Sequence, residues 1–127
     1  MRNVKSEHGS VLIMAAVMVV VLLGFLALAI DVGMVLTAKS ELQNVADSAA
    51  FAGVNKLASN DYWSAVYQAT VFGGLNSCLN QLHQFSTGDI QLGLYNFDQN
   101  TFVEAPVANP SGSNAIYVVA RRAQGSV

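Results

Sequence analysis

The chain has 127 residues and a formal net charge of −2, with 53% hydrophobic residues and only 11% charged ones. Charge that sparse is low for a chain living freely in water, and the acidic balance is no electrostatic lure for nucleic acid. With one cysteine, Cys78, no intramolecular disulfide is available, which leaves a buried free thiol or a bridge to another chain.

The first element is the run Val11 to Ile30, twenty residues without a charge, behind a head that carries Arg2 and Lys5. At ~1.5 Å per residue a helix of this length reaches ~30 Å, the thickness of the hydrocarbon core of a bilayer. A removed secretory signal competes with this reading, because Ala27-Leu28-Ala29 imitates a cleavage site. The apolar region of a signal is shorter, though, at ~7 to 15 residues. A soluble core helix would meet polar positions sooner, and here none comes before Asp31. The expectation is a retained transmembrane helix over residues 10–31, following a head at 1–9. The basic head against Asp31, Glu41 and Asp47 beyond the span predicts a cytoplasmic N-terminus. Residues 32–127 then form one small extracytoplasmic domain. At that size a domain buries only about two thirds of its unfolded surface, so it is marginal and leans on partners.

Beyond Asp31 the apolar residues keep recurring at three and four, and no proline interrupts them, which predicts a continuous helix to about Leu57. Asp31 itself reads as a carboxylate at the membrane surface, either solvated or in polar contact with a partner. The stripe that follows is small: Ala46, Ala49, Ala50, Ala52 and Gly53 offer little area but let another helix come close.

The segment Glu7 to Gly53 resembles the N-terminal region of the TadE/TadG-like proteins of Flp (tight adherence) pilus assembly. The matching elements are Gly9 before the span, Asp31-Val32-Gly33 at its exit and, most specifically, the stretch Leu42-Gln43-Asn44-Val45-Ala46-Asp47-Ser48-Ala49-Ala50-Phe51-Ala52-Gly53. Val45 and Phe51 stand where the family usually has alanine and leucine. The resemblance implies a membrane-anchored assembly component that works by helix packing on other pilus-assembly proteins or on itself, in the inner membrane. With the small stripe, it nominates Asp31, Gly33, Leu42, Gln43, Ala46, Asp47, Ala49, Ala50 and Gly53 as partner-packing residues. The alternative is a pilin-like subunit that enters a filament. Processed members place a glutamate five residues after the cleavage glycine, and here that position is Met14, so an uncleaved anchor is expected. The metal-binding serine-rich loop of larger TadG-like proteins is not found, and no adhesive or metal function is implied.

In the distal half, Ser59 or Asn60 is expected to cap a second helix beginning at Asp61. Apolar spacing carries that helix to about His83, with a kink or break at Gly73-Gly74 and an end at Ser86-Thr87-Gly88. From Asp89 the period becomes two. Ile90, Leu92 and Leu94 share a face of one strand, Asp98-Gln99-Asn100 turns the chain, and Thr101-Phe102-Val103 returns. Ala115 to Ala120 makes a third strand after a loop holding Pro106 and Pro110. The fold class is therefore α+β, a pilin-like arrangement of long helix, second helix and small antiparallel sheet.

Nothing in this pattern proposes an enzyme. His8 and His83 fall on opposite sides of the expected membrane, no phosphate loop or nucleophile elbow occurs, and Asp98 with Asn100 lacks the later ligands of a calcium loop. Arg121-Arg122 reads as a solvated strand end. No catalytic residue, cofactor or metal is assigned. Membrane lipid and other proteins are the expected partners.

Overall fold

The computed structural model describes residues 7–86 and 88–122, in two compact units, Met1–Leu36 and Thr37–Val127. The basic head with Arg2 and Lys5 lies outside the described residues, as does Thr87 of the expected helix stop. The architecture is α+β: helices α1 (Glu7–Leu57) and α2 (Tyr62–Gly74), then strands β1 (Ser77–Cys78), β2 (Gln81–Leu82), β3 (Ile90–Asn96), β4 (Thr101–Glu104) and β5 (Ala115–Val118).

In the first unit the large side chains of α1 from Val11 to Leu36 stand 50% to 74% exposed, and no residue in the most apolar stretch of the helix is buried. By length and composition this helix is able to cross a membrane.

The second unit is built on close helix packing. Val45, Ala49, Gly53 and Leu57 lie four residues apart on α1, and all four are buried. Ala65, Ala69 and Gly73 do the same on α2. Rows at this spacing are the ridges that interdigitate when two helices pack, and where they meet Ala49 and Gly53 face Ala65, Ala69 and Gly73. The backbones consequently come close: a methyl group added at Gly53 would sit 3.2 Å from the Ala65 carbonyl and 3.3 Å from the Ala69 Cβ. Leu57, Ala65 and Leu92 form the buried cluster, closed by Tyr62, Val66 and Ile116.

The turn between the helices places Asn60 at φ +59°, a left-handed conformation that asparagine tolerates well. The cap of α2 is Asp61 and not Ser59 or Asn60: its Oδ1 accepts the Ser64 amide hydrogen bond at 3.2 Å. The second helix also stops at Gly74 instead of continuing to His83. Two glycines weaken its last turn, and Leu79 and Asn80 take φ values of +50° and +63°. Two successive residues of that kind make the tight turn of a hairpin, so Ser77 pairs with Leu82 and Cys78 with Gln81. Glu41 fastens this hairpin to α1, accepting the Leu79 N–H at 2.6 Å, and the Asn76 side-chain amide donates to the Ser48 hydroxyl at 2.8 Å.

The larger sheet is antiparallel in the order β4-β3-β5, with Leu94 opposite Val103 and Leu92 opposite Ile116. The expected hairpin is present, and the Asn96 side chain organises its turn by accepting the N–H groups of Asp98 and Gln99. The regular part of β5 ends at Val118, although the Val119 amide still bonds to the Asp89 carbonyl at 2.8 Å. Gly93 is required where it stands, because a methyl group there would strike the Phe102 ring and the Val103 carbonyl.

Gly73→Ala tests the close helix contact. Its new Cβ would lie 2.8 Å from the Ala49 Cβ and 2.5 Å from the Phe85 ring, whereas nothing lies within 4 Å of the same position at Gly24. Overpacking costs ~1–3 kcal/mol and exceeds the gain of at most ~1 kcal/mol in helix propensity. Urea unfolding followed by circular dichroism should show Gly73→Ala destabilised by ~1–2 kcal/mol and Gly24→Ala unchanged.

Candidate interaction surfaces

The nominated packing residues fall into three positions. In the first unit Asp31 and Gly33 stand exposed on α1. In the second unit Ala49 and Gly53 are buried against α2, and Leu42, Ala46 and Ala50 are half-buried. Gln43 and Asp47 are exposed on the opposite side of the helix, in line with Phe51, which is 80% exposed. The close approach that the small stripe permits is therefore made within the chain. The outward row Gln43-Asp47-Phe51 is left open, and Phe51 is the member that the sequence reading passed over.

A second feature had no local signal in the sequence. Asp89 is 1% exposed, yet its carboxylate is fully engaged: Arg121 donates to Oδ1 through Nε at 2.9 Å and through Nη2, and the Ser86 N–H donates to Oδ2 at 2.6 Å. Arg121 is thus no solvated strand end, although its side chain remains 64% exposed. Burial pushes the Asp89 carboxyl up, but the Arg121 and Ser86 hydrogen bonds, with the nearby positive charge, bring it below the ordinary carboxylate range. Beside it lies His83, buried edge-on to the Phe85 ring with centroids 4.7 Å apart and Nε2 without a hydrogen-bond partner. Burial lowers its pKa against the opposing pull of Asp89. Cys78 is a buried free thiol with Sγ 3.7 Å from the Ala38 carbonyl oxygen.

A third feature is a groove of about 540 Å³ between α2 and the sheet, walled by Trp63, Val66 and Thr70 on one side and Ile90 and Leu92 on the other. Among the described residues no three His, Cys, Asp or Glu side chains gather closely enough to hold a metal ion.

The uncovered apolar helix and the Leu42 to Gly53 stretch fall inside one region that comparison recognises. Residues 9–56 match the family Tad, described as "Putative Flp pilus-assembly TadE/G-like". The match takes in the whole uncovered stretch of α1 from Gly9, and it continues through the row that packs on α2 as far as Lys56. Searches of curated proteins and of solved structures give no match. The matched region and a helix long and apolar enough to cross a membrane occupy the same part of the chain.

The Asp89 cluster generates a pH prediction. His83 binds its proton less readily folded than unfolded, so its contribution to stability is complete above the ordinary histidine pKa of about 6.5 and declines as pH falls below it. Asp89 contributes above the ordinary value of about 3.9 and loses that contribution as pH falls through its lowered folded pKa. Stability of the second unit should therefore fall in two acid steps. His83→Leu should remove the upper step, and Arg121→Ala, which takes away charge-assisted hydrogen bonds, should cost ~1–3 kcal/mol at pH 7. Unfolding titrations from pH 8 down to about pH 2 check both.

Proposed function

We propose that this protein is a single-pass anchor of a Flp-type pilus assembly machine and acts by helix packing, without catalysis. The observation that carries the reading is the coincidence of the region matched to the Tad family with an apolar helix whose large side chains stand exposed. The head at 1–9 stays in the cytoplasm of the cell, residues 10–31 span the inner membrane, and residues 32–127 lie outside. Asp31 and Gly33 meet other helices at the membrane surface. Leu42, Ala46, Ala49, Ala50 and Gly53 set the close approach to α2, which holds Gln43, Asp47 and Phe51 outward toward another pilus-assembly protein or a second copy.

Both charge and cost favour an anchor over a filament subunit. The position five residues after Gly9 is Met14, so no carboxylate sits in the span to pair with a neighbour's amine, and an unpaired one would be expensive there.

Two measurements test the proposal. A C-terminal phosphatase that works only outside the cytoplasm should be active, and mass spectrometry of the inner-membrane fraction should find the N-terminus uncleaved. A mature N-terminus at Ser10 in sheared surface fibres would establish the filament subunit instead. Phe51→Glu should abolish copurification with the assembly machine while leaving the unfolding transition intact. Unchanged copurification would remove the outward row from the account.

A further inference from the structure

We propose that the groove between α2 and β3 receives an apolar peptide segment carrying one basic side chain, which meets Glu104 at the rim. This goes beyond the anchoring role and does not depend on it. The walls are apolar and set on regular structure: Trp63 and Val66 on the helix, Ile90 and Leu92 on the central strand. A volume of about 540 Å³ falls in the range of real binding clefts, ~300–1,000 Å³, and is too large for a packing defect.

The polar groups in the lining decide the ligand. Two are already occupied by the chain itself: the Thr70 hydroxyl donates to the Val66 carbonyl, and the Tyr62 hydroxyl donates to the Asn60 side chain and accepts the Gly112 N–H. Glu104 is the one charged residue among the described lining, it is exposed, and the structure gives it no ion pair. Among the described residues no Lys or Arg lines the groove. A phospholipid would bring its phosphate against that carboxylate with no cation to receive it. An apolar peptide with a lysine or arginine places its aliphatic side chains on the Trp63 wall and its charge at the rim, which is how charge selects among otherwise similar apolar partners.

Trp63, the sole tryptophan, is 67% exposed in the wall and reports on occupancy. The full chain in zwitterionic lipid nanodiscs is titrated with a blocked, tryptophan-free leucine peptide bearing a central lysine, and with the same peptide bearing glutamate. The lysine peptide should shift the Trp63 emission saturably and the glutamate peptide should bind more weakly. Glu104→Gln should weaken the lysine peptide about threefold, the order of a rim ion pair, and Glu104→Lys should reverse the preference. Asp98→Lys, in the β3–β4 turn outside the groove, should change neither affinity. Equal affinity for both peptides, a preference that survives Glu104→Lys, or an equal loss in Asp98→Lys would each overturn the proposal. So would an emission shift produced by added phospholipid and not by peptide, which would assign the groove to lipid.

Discussion

A helix whose large apolar side chains stand exposed is favoured in a nonaqueous surrounding, and the proposed membrane role depends on that constraint. Between Val11 and Leu36 the chain has 26 residues and one charge, Asp31. The large side chains of that stretch stand exposed. A bilayer accepts such a segment only as a helix, because each backbone N–H and C=O must then be bonded within the segment itself. The run exceeds the ~20 residues that cross the hydrocarbon, so the position of Asp31 decides where the excess lies. On the proposed topology, the carboxylate lies at the membrane surface and Val32 to Leu36 form an apolar collar beyond it.

The second unit gains its order differently. It has few large buried side chains, and Val45 and Asp89 are the largest that are fully enclosed. Small residues compensate by bringing α1 and α2 together, so dispersion contacts between backbones replace the area that Leu or Phe would bury. Asp89 adds a polar fastening where hydrophobic area is short, linking the approach to β3, through Ser86, with the chain after β5, through Arg121. A domain held this way is sensitive to one methyl group or one proton. That sensitivity fits a component that works in contact with others.

The long helix was readable because its signal is local: twenty uncharged residues and an uninterrupted three-four recurrence require no tertiary information. The three sheet strands were readable from period two and from Asp98-Gln99-Asn100. The β1–β2 hairpin was not, since Leu75, Cys78, Leu79 and Leu82 imitate helical spacing and the left-handed turn falls on Leu79, a residue that does not announce it. Cap position slipped from Asn60 to Asp61 for a related reason: both residue types cap well, and only the left-handed φ of Asn60 separates them. The small residues Ala49 and Gly53 pack on the same chain's α2, and sequence does not say whether the neighbour of such a stripe is another protein or another helix of the chain. Asp89 with Arg121 and the groove were invisible because each joins residues far apart in sequence.

The central claim is that α1 is in lipid up to its exit and in water beyond it. Single nitroxide labels at Leu23 and at Ser40, in a Cys78→Ser background and in native membranes, test it directly through collision with oxygen and with a water-soluble nickel chelate. Leu23 should collide with oxygen and be shielded from nickel, while Ser40 should show the reverse. Nickel reaching Leu23 as readily as Ser40 would contradict the account.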